Sequence, residues 1–296
     1  MLLLGTRRPH RVWRAGAPAL HRLAFGCSLL ASLTAAPADW APNITTTATW
    51  NSNATNASRS SDIIGALALR ADLGVSHRFT PGTDDALIVG AQLAAEAWPR
   101  FDGLDRATLG PRLAWQHKFG LGALAPVFSV ELAADTIAAN ESARNARAGG
   151  VTFALRKRLD VATVVSLTHE RARTDAREFV FDRTGNETAL EITRDLAEPW
   201  SLALAARWRE GVVQSYATPP RPDLVSLARV RVPNSTFDRA MVVYSLDART
   251  VTGALTLARA VDNASALTFR YEWRQTARGP LRYVNQLVSA AFARQF

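Results

Sequence analysis

The sequence predicts an all-β chain folded as a single antiparallel up-and-down barrel that crosses a membrane. About fourteen strands are expected, with twelve as the second choice. Three observations predict this. Segments with a two-residue hydrophobic period recur along the chain. Short turns alternate with longer polar connections. No apolar run after residue 38 has the roughly 20 residues that a spanning helix needs.

The chain of 296 residues opens on a cationic stretch, RRPHRVWR, followed by the apolar run Leu23–Leu33 and the small residues of TAAPADWA. That order is the layout of an export signal, and the run is too short to span as a helix. Cleavage is expected after Ala38, so residues 1–38 are assigned to a signal peptide and 39–296 to the barrel. The formal charge is +9. Arg7, Arg8, Arg11, Arg14 and Arg22 precede residue 38, which leaves 30 basic against 26 acidic residues in the exported part. Nucleic acid is therefore not an expected partner. Cys27 is the only cysteine and falls within the signal, so no disulfide or thiolate metal site is expected.

The strands follow in order. The pattern gives 43–51, 63–79, 85–98, 107–119, 125–136, 148–159, 161–175, 187–196, 199–214, 223–232, 238–247, 250–260, 264–275 and 281–296. Short turns fall at 80–85, 119–126, 158–160, 196–199 and 261–264. Long connections fall at 51–62, 99–107, 136–148, 172–188 and 218–222. Segments 43–51 and 223–232 alternate most weakly, which is why twelve is the second choice. Such asymmetry between tight turns and longer loops is typical of transmembrane barrels.

The segment ALTFRYEWRQ shows what each face meets. Leu267, Phe269, Tyr271 and Trp273 share one parity, and Thr268, Arg270, Glu272 and Arg274 the other. In a soluble sandwich the aromatic face would be core; in a membrane barrel it meets lipid and the charged face lines a lumen. Strand length favours the barrel, because each segment can supply the roughly 9–11 residues of a tilted spanning strand. Aromatic residues near strand ends (Trp50, Trp98, Trp200, Trp208, Trp273, Tyr283) also suit an interfacial girdle. The inward parity then carries Arg70, Arg112, Glu131, Arg156, Arg207, Arg209, Arg270, Glu272 and Arg274 as expected channel-lining residues.

The C-terminal LVSAAFARQF resembles the last strand of Gram-negative outer-membrane barrel proteins, with Phe296 terminal and Phe292, Ala290 and Val288 on alternate positions. Arg294 departs from that pattern. The resemblance implies a bacterial outer-membrane location, contact with outer-membrane lipid, and recognition of Phe296 and Phe292 by the barrel-assembly machinery.

No G-x-S-x-G, H-E-x-x-H, P-loop or dinucleotide fingerprint occurs, so no catalytic, metal or cofactor site is expected. His169, in THERAR, is the one residue to weigh, since outer-membrane phospholipases pair Ser and His at the barrel wall. The excess of inward arginines over carboxylates predicts a passive channel for small hydrophilic solutes that weakly prefers anions. The competing expectation is a non-transporting barrel that presents loops for adhesion or surface-protein assembly.

Overall fold

The computed structural model describes residues 40–279 and 281–296, so the expected signal peptide and its boundary lie outside the described residues. The strands are β1 (Trp40–Asn51), β2 (Ala66–Phe79), β3 (Asp85–Ala97), β4 (Arg106–Lys118), β5 (Val127–Ala139), β6 (Ala146–Arg158), β7 (Thr163–Ala176), β8 (Arg183–Asp195), β9 (Trp200–Ala217), β10 (Val230–Asn234), β11 (Met241–Ala260), β12 (Ser265–Arg278) and β13 (Leu281–Gln295). A four-residue helix, α1 (Pro222–Val225), precedes β10.

Twelve of these strands close into a ring. Chain neighbours pair antiparallel from β1 to β9, β9 pairs with β11, and β13 returns to β1. Closure satisfies every ladder without an edge, as a spanning sheet requires. Strand β10 stands outside the ring. It pairs only with Met241–Ser245 of β11, beyond the point where β12 takes up β11 at Arg249.

The expected count of fourteen is therefore corrected to twelve plus one outside strand. Segments 238–247 and 250–260 are one 20-residue strand, because the alternation runs unbroken through Ala248 and Arg249. Segment 223–232 begins in α1, whose Leu224 is buried among residues of β9, β11 and β13. An even total survives, since β9 and β11 run antiparallel as direct neighbours.

One end of the barrel carries turns of four to eight residues, and the other carries the two longest connections, 52–65 and 218–240. These are called the turn end and the loop end. Strand β1 starts and β13 finishes at the turn end. The connections expected at 136–148 and 172–188 are shorter, at 140–145 and 177–182. Each contains a single 3₁₀ turn, and an Asx side chain closes it. Asn145 Oδ1 accepts from Ala139 N and Asp182 Oδ1 from Ala176 N, both at 2.7 Å. Asp105 does the same for Trp98 N at 2.7 Å in the 98–105 connection. These polar residues look like loop composition, yet they let the strands run on by holding the last backbone donors.

The registers assign the faces. Phe269 and Tyr271 point outward and are about half exposed, whereas Glu272, the next residue after Tyr271, is buried. On β9 the outward row runs Trp200, Leu202, Leu204, Ala206, Trp208 and meets its first charge at Glu210. Nine residues of tilted strand span about 20–25 Å, the height of an outer-membrane apolar band. Leu109, Leu132, Leu155, Leu190, Leu255 and Val288 continue the belt round the ring. At the turn end His77 lies between Trp40 and Phe79, and His117 between Trp115 and Phe119. Two aromatics expected in the girdle are instead internal. Trp98 lines a cavity, and Tyr283 is buried opposite Thr276. Both lie on the inward parity of their strands, which outweighs their position at a strand end.

Candidate functional site

At the loop end the connections fold inward and meet one another. Ile64, Phe101, Val180, Phe181, Tyr216, Phe237 and Val243, drawn from six different segments, form one buried cluster. The 52–65 connection reaches across the mouth. Tyr216 N donates to Thr55 O at 2.8 Å, Ser215 Oγ to Asn56 O at 2.7 Å, and Asn56 Nδ2 to Gln214 O at 2.9 Å. Asn53 anchors the same connection, donating from Nδ2 to Ala57 O and accepting from Ala57 N, both at 2.9 Å. Arg221 joins it to α1 by donating to Ser58 Oγ at 3.0 Å and to Asp223 at 2.7 Å, with Asp62 at 3.6 Å. From the far side Arg144 donates to Tyr216 Oη at 2.5 Å and to Glu141 at 2.7 Å, its guanidinium 4.2 Å from the Phe181 ring.

Beneath this cover lies a cavity of about 390 Å³. Its charged lining is Glu96, Glu187 and six arginines, Arg106, Arg144, Arg183, Arg207, Arg209 and Arg274. The arginines differ in what holds them. Arg106 donates to Glu96 at 3.0 Å. Arg207 lies 3.4 Å from Glu272 and 3.9 Å from Glu187. Arg274 bonds Glu272 directly. Glu272 also takes Arg270 at 2.8 Å, so one buried carboxylate holds three guanidinium groups. Arg183 donates only to the amide oxygen of Gln214, at 2.8 Å, and Arg209 makes no ion pair among the described residues. The cross-strand partners Gly185 and Gly211 let Arg209 lie over the β8 backbone. A Cβ at Gly185 would sit 3.3 Å from Arg209 Nε.

No protein-family model and no curated protein matches the chain. Among solved structures, an outer-membrane channel from Pseudomonas putida F1 is similar with a TM-score of 0.58 at 11% identity, covering 88% of this chain and 97% of that one. The NanC porin (TM-score 0.47, 8% identity, 85% and 98% covered) and the KdgM porin (0.42, 11%, 86% and 99%) also match. The chain has the fold of an outer-membrane β-barrel.

Within that barrel the residues expected to line a lumen fall into separate groups. Arg70 bonds Asp72 at 2.6 Å and faces Glu96 at 3.7 Å, so it joins Arg106 in one ladder. Arg112 pairs with Asp135 at 2.8 Å. Arg207, Arg270, Glu272 and Arg274 form the cluster just described. Glu131 and Arg156 share the inward face nearer the turn end and make no ion pair among the described residues. Arg209 stands in the cavity. Phe292 lies outward on β13 opposite Leu267, and Phe296 N donates to Pro42 O at 2.9 Å. His169 also points outward, its Nδ1 2.9 Å from Thr188 Oγ1; the hydroxyl beside it belongs to a threonine. Five charged cavity residues escaped the sequence reading: Glu96, Arg106, Arg144, Arg183 and Glu187. Parity alone would have found Glu96 and Glu187, the latter directly across from Arg209. Arg106, Arg144 and Arg183 sat in segments assigned to connections.

Proposed function

We propose that this protein is a passive channel of the bacterial outer membrane, passing small hydrophilic solutes with a weak preference for anions. The observation that carries this reading is the closed twelve-strand ring with an apolar outer belt and an inner face of small and polar residues. Twelve strands enclose more space than the eight whose side chains fill a barrel. Ala203, Ala205, Ala254 and Ala258 leave that space free along β9 and β11. The Arg excess of the cavity supports the anion preference, because rings of arginine favour anions over cations. The similarity to the Pseudomonas channel supports the fold on which the reading stands.

Planar-bilayer conductance of the refolded protein under a salt gradient tests it. Discrete current steps are expected, with a reversal potential on the anion-selective side. Arg209→Glu should move that potential toward cation selectivity. A protein that inserts, shown by heat-modifiable gel mobility, and carries no current would defeat the channel reading and return attention to the loops as a presented surface.

A further inference from the structure

We infer that the loop-end cavity is a binding site for a small organic carboxylate, held by Arg183 and Arg209 and stacked against the apolar wall of the cover. This rests on the channel reading and names the solute class for the same cavity.

The argument starts from charge. Of the six cavity arginines, Arg106, Arg144, Arg207 and Arg274 each have a carboxylate partner. Arg183 and Arg209 have none among the described residues. Arg106, Arg144 and Arg209 all act on the Arg183 charge through space. Like charges gathered at one place in a partly enclosed cavity repel, and an anion between them removes the repulsion. Gly185 holds the floor open at this point, since a Cβ there would press on Arg209 Nε and Nη2. A guanidinium presents a planar fork that suits a carboxylate or a phosphate. The walls decide between an organic anion and an inorganic one. Leu104, Ile137, Phe181 and Phe237 line the same cavity, and an inorganic ion makes no use of apolar surface. The volume of about 390 Å³ is within the range of small-ligand pockets and takes a molecule of one ring.

Isothermal titration of the refolded protein in detergent tests the site, with benzoate and inorganic phosphate as probes. Benzoate is expected to bind the wild type and phosphate to bind more weakly. Arg183→Gln and Arg209→Gln should each weaken benzoate about tenfold or more, as loss of a charged hydrogen-bond donor does. Arg209→Lys should fall between, keeping the charge and losing the fork. Arg173→Gln, on the outer surface beside Asp175, should bind as the wild type does. Heat-modifiable mobility reports folding for each variant, and either glutamine variant alone suffices for the comparison. Absence of benzoate binding to the wild type overturns the proposal. So does binding that neither glutamine variant weakens, or phosphate binding as tight as benzoate. Conductance of the same preparation separates the two readings. Current without binding sinks the site and leaves the channel, whereas binding without current leaves the site and sinks the channel.

Discussion

A single buried carboxylate shows how the inner face is held. Glu272 is 5% exposed at its side chain and touches Arg207, Arg270 and Arg274. Removing one member of a buried charge cluster leaves uncompensated charge and costs about 3 kcal/mol or more. Glu272→Ala is thus expected to lower the urea midpoint of the refolded barrel strongly. Arg274→Ala should cost under about 1 kcal/mol, because its side chain is 42% exposed and surface pairs are screened. Equal midpoints for the two variants would show that the cluster is not the fastening described. Glu272 was legible from parity, since ALTFRYEWRQ already places it with the arginines. Its three partners were legible only as members of one face, because Arg207 reaches it past the intervening β11. Cross-barrel reach depends on ring size, and that has no local signal.

Connections are where composition and conformation part. The 98–105, 140–145 and 177–182 connections look long and polar, yet Asp105, Asn145 and Asp182 convert them to tight closures. Each Asx takes a backbone donor that would otherwise lie open, a hydrogen bond worth about 1 kcal/mol. The Ala variants should each cost about that much, and the three together should depart from the sum, because the connections bond one another: Asn140 N donates to Asp105 O at 2.9 Å and Arg177 N to Asn145 O at 2.8 Å. Unfolding midpoints of the single and triple variants measure it, and strict additivity would refute the coupling. The 218–240 connection carries a different fastening. The Arg221 hydrogen bond, and then its charge, hold the Asp223 carboxyl down to about 2 against an ordinary 3.8. A depressed carboxyl contributes its stability above the ordinary value and loses it as pH falls through the depressed one. The connection should stay fastened at pH 4 and loosen toward pH 2. Pepsin cleavage within 218–240 reads this, rising between those pH values in the wild type. Asp223→Asn should already be cleaved at pH 4. Period-2 alternation revealed that strands flank these connections. The caps that set their lengths were hidden, because Asp and Asn also mark ordinary turns.

At the scale of the barrel, the count of twelve follows from one strand that the alternation in DLVSLARVRV disguised. Lateral pairing of β9 with β11 takes up 18 residues of β9, so no room is left in the ring for β10. Of the two further strands expected, 223–232 is instead part of the cover and 238–247 is the first part of β11. Phe237 packs edge-on against Phe101 and Tyr216, at 5.0 and 4.9 Å between ring centres, and Thr236 accepts from Arg144 while donating to Glu141. The cover therefore hangs on the 218–240 connection meeting the short loops, and the ring beneath is complete without it. Replacing residues 226–239 by a short Gly-Ser link should leave the barrel folded, with heat-modifiable mobility retained. The conductance should rise, because Phe237 and Thr236 no longer roof the cavity. Anion preference should persist, since Arg183 and Arg209 belong to β8 and β9. An unchanged conductance would place the narrowest point lower, among Arg112, Glu131 and Arg156 toward the turn end. The variant Arg156→Glu would then alter selectivity more than Arg209→Glu.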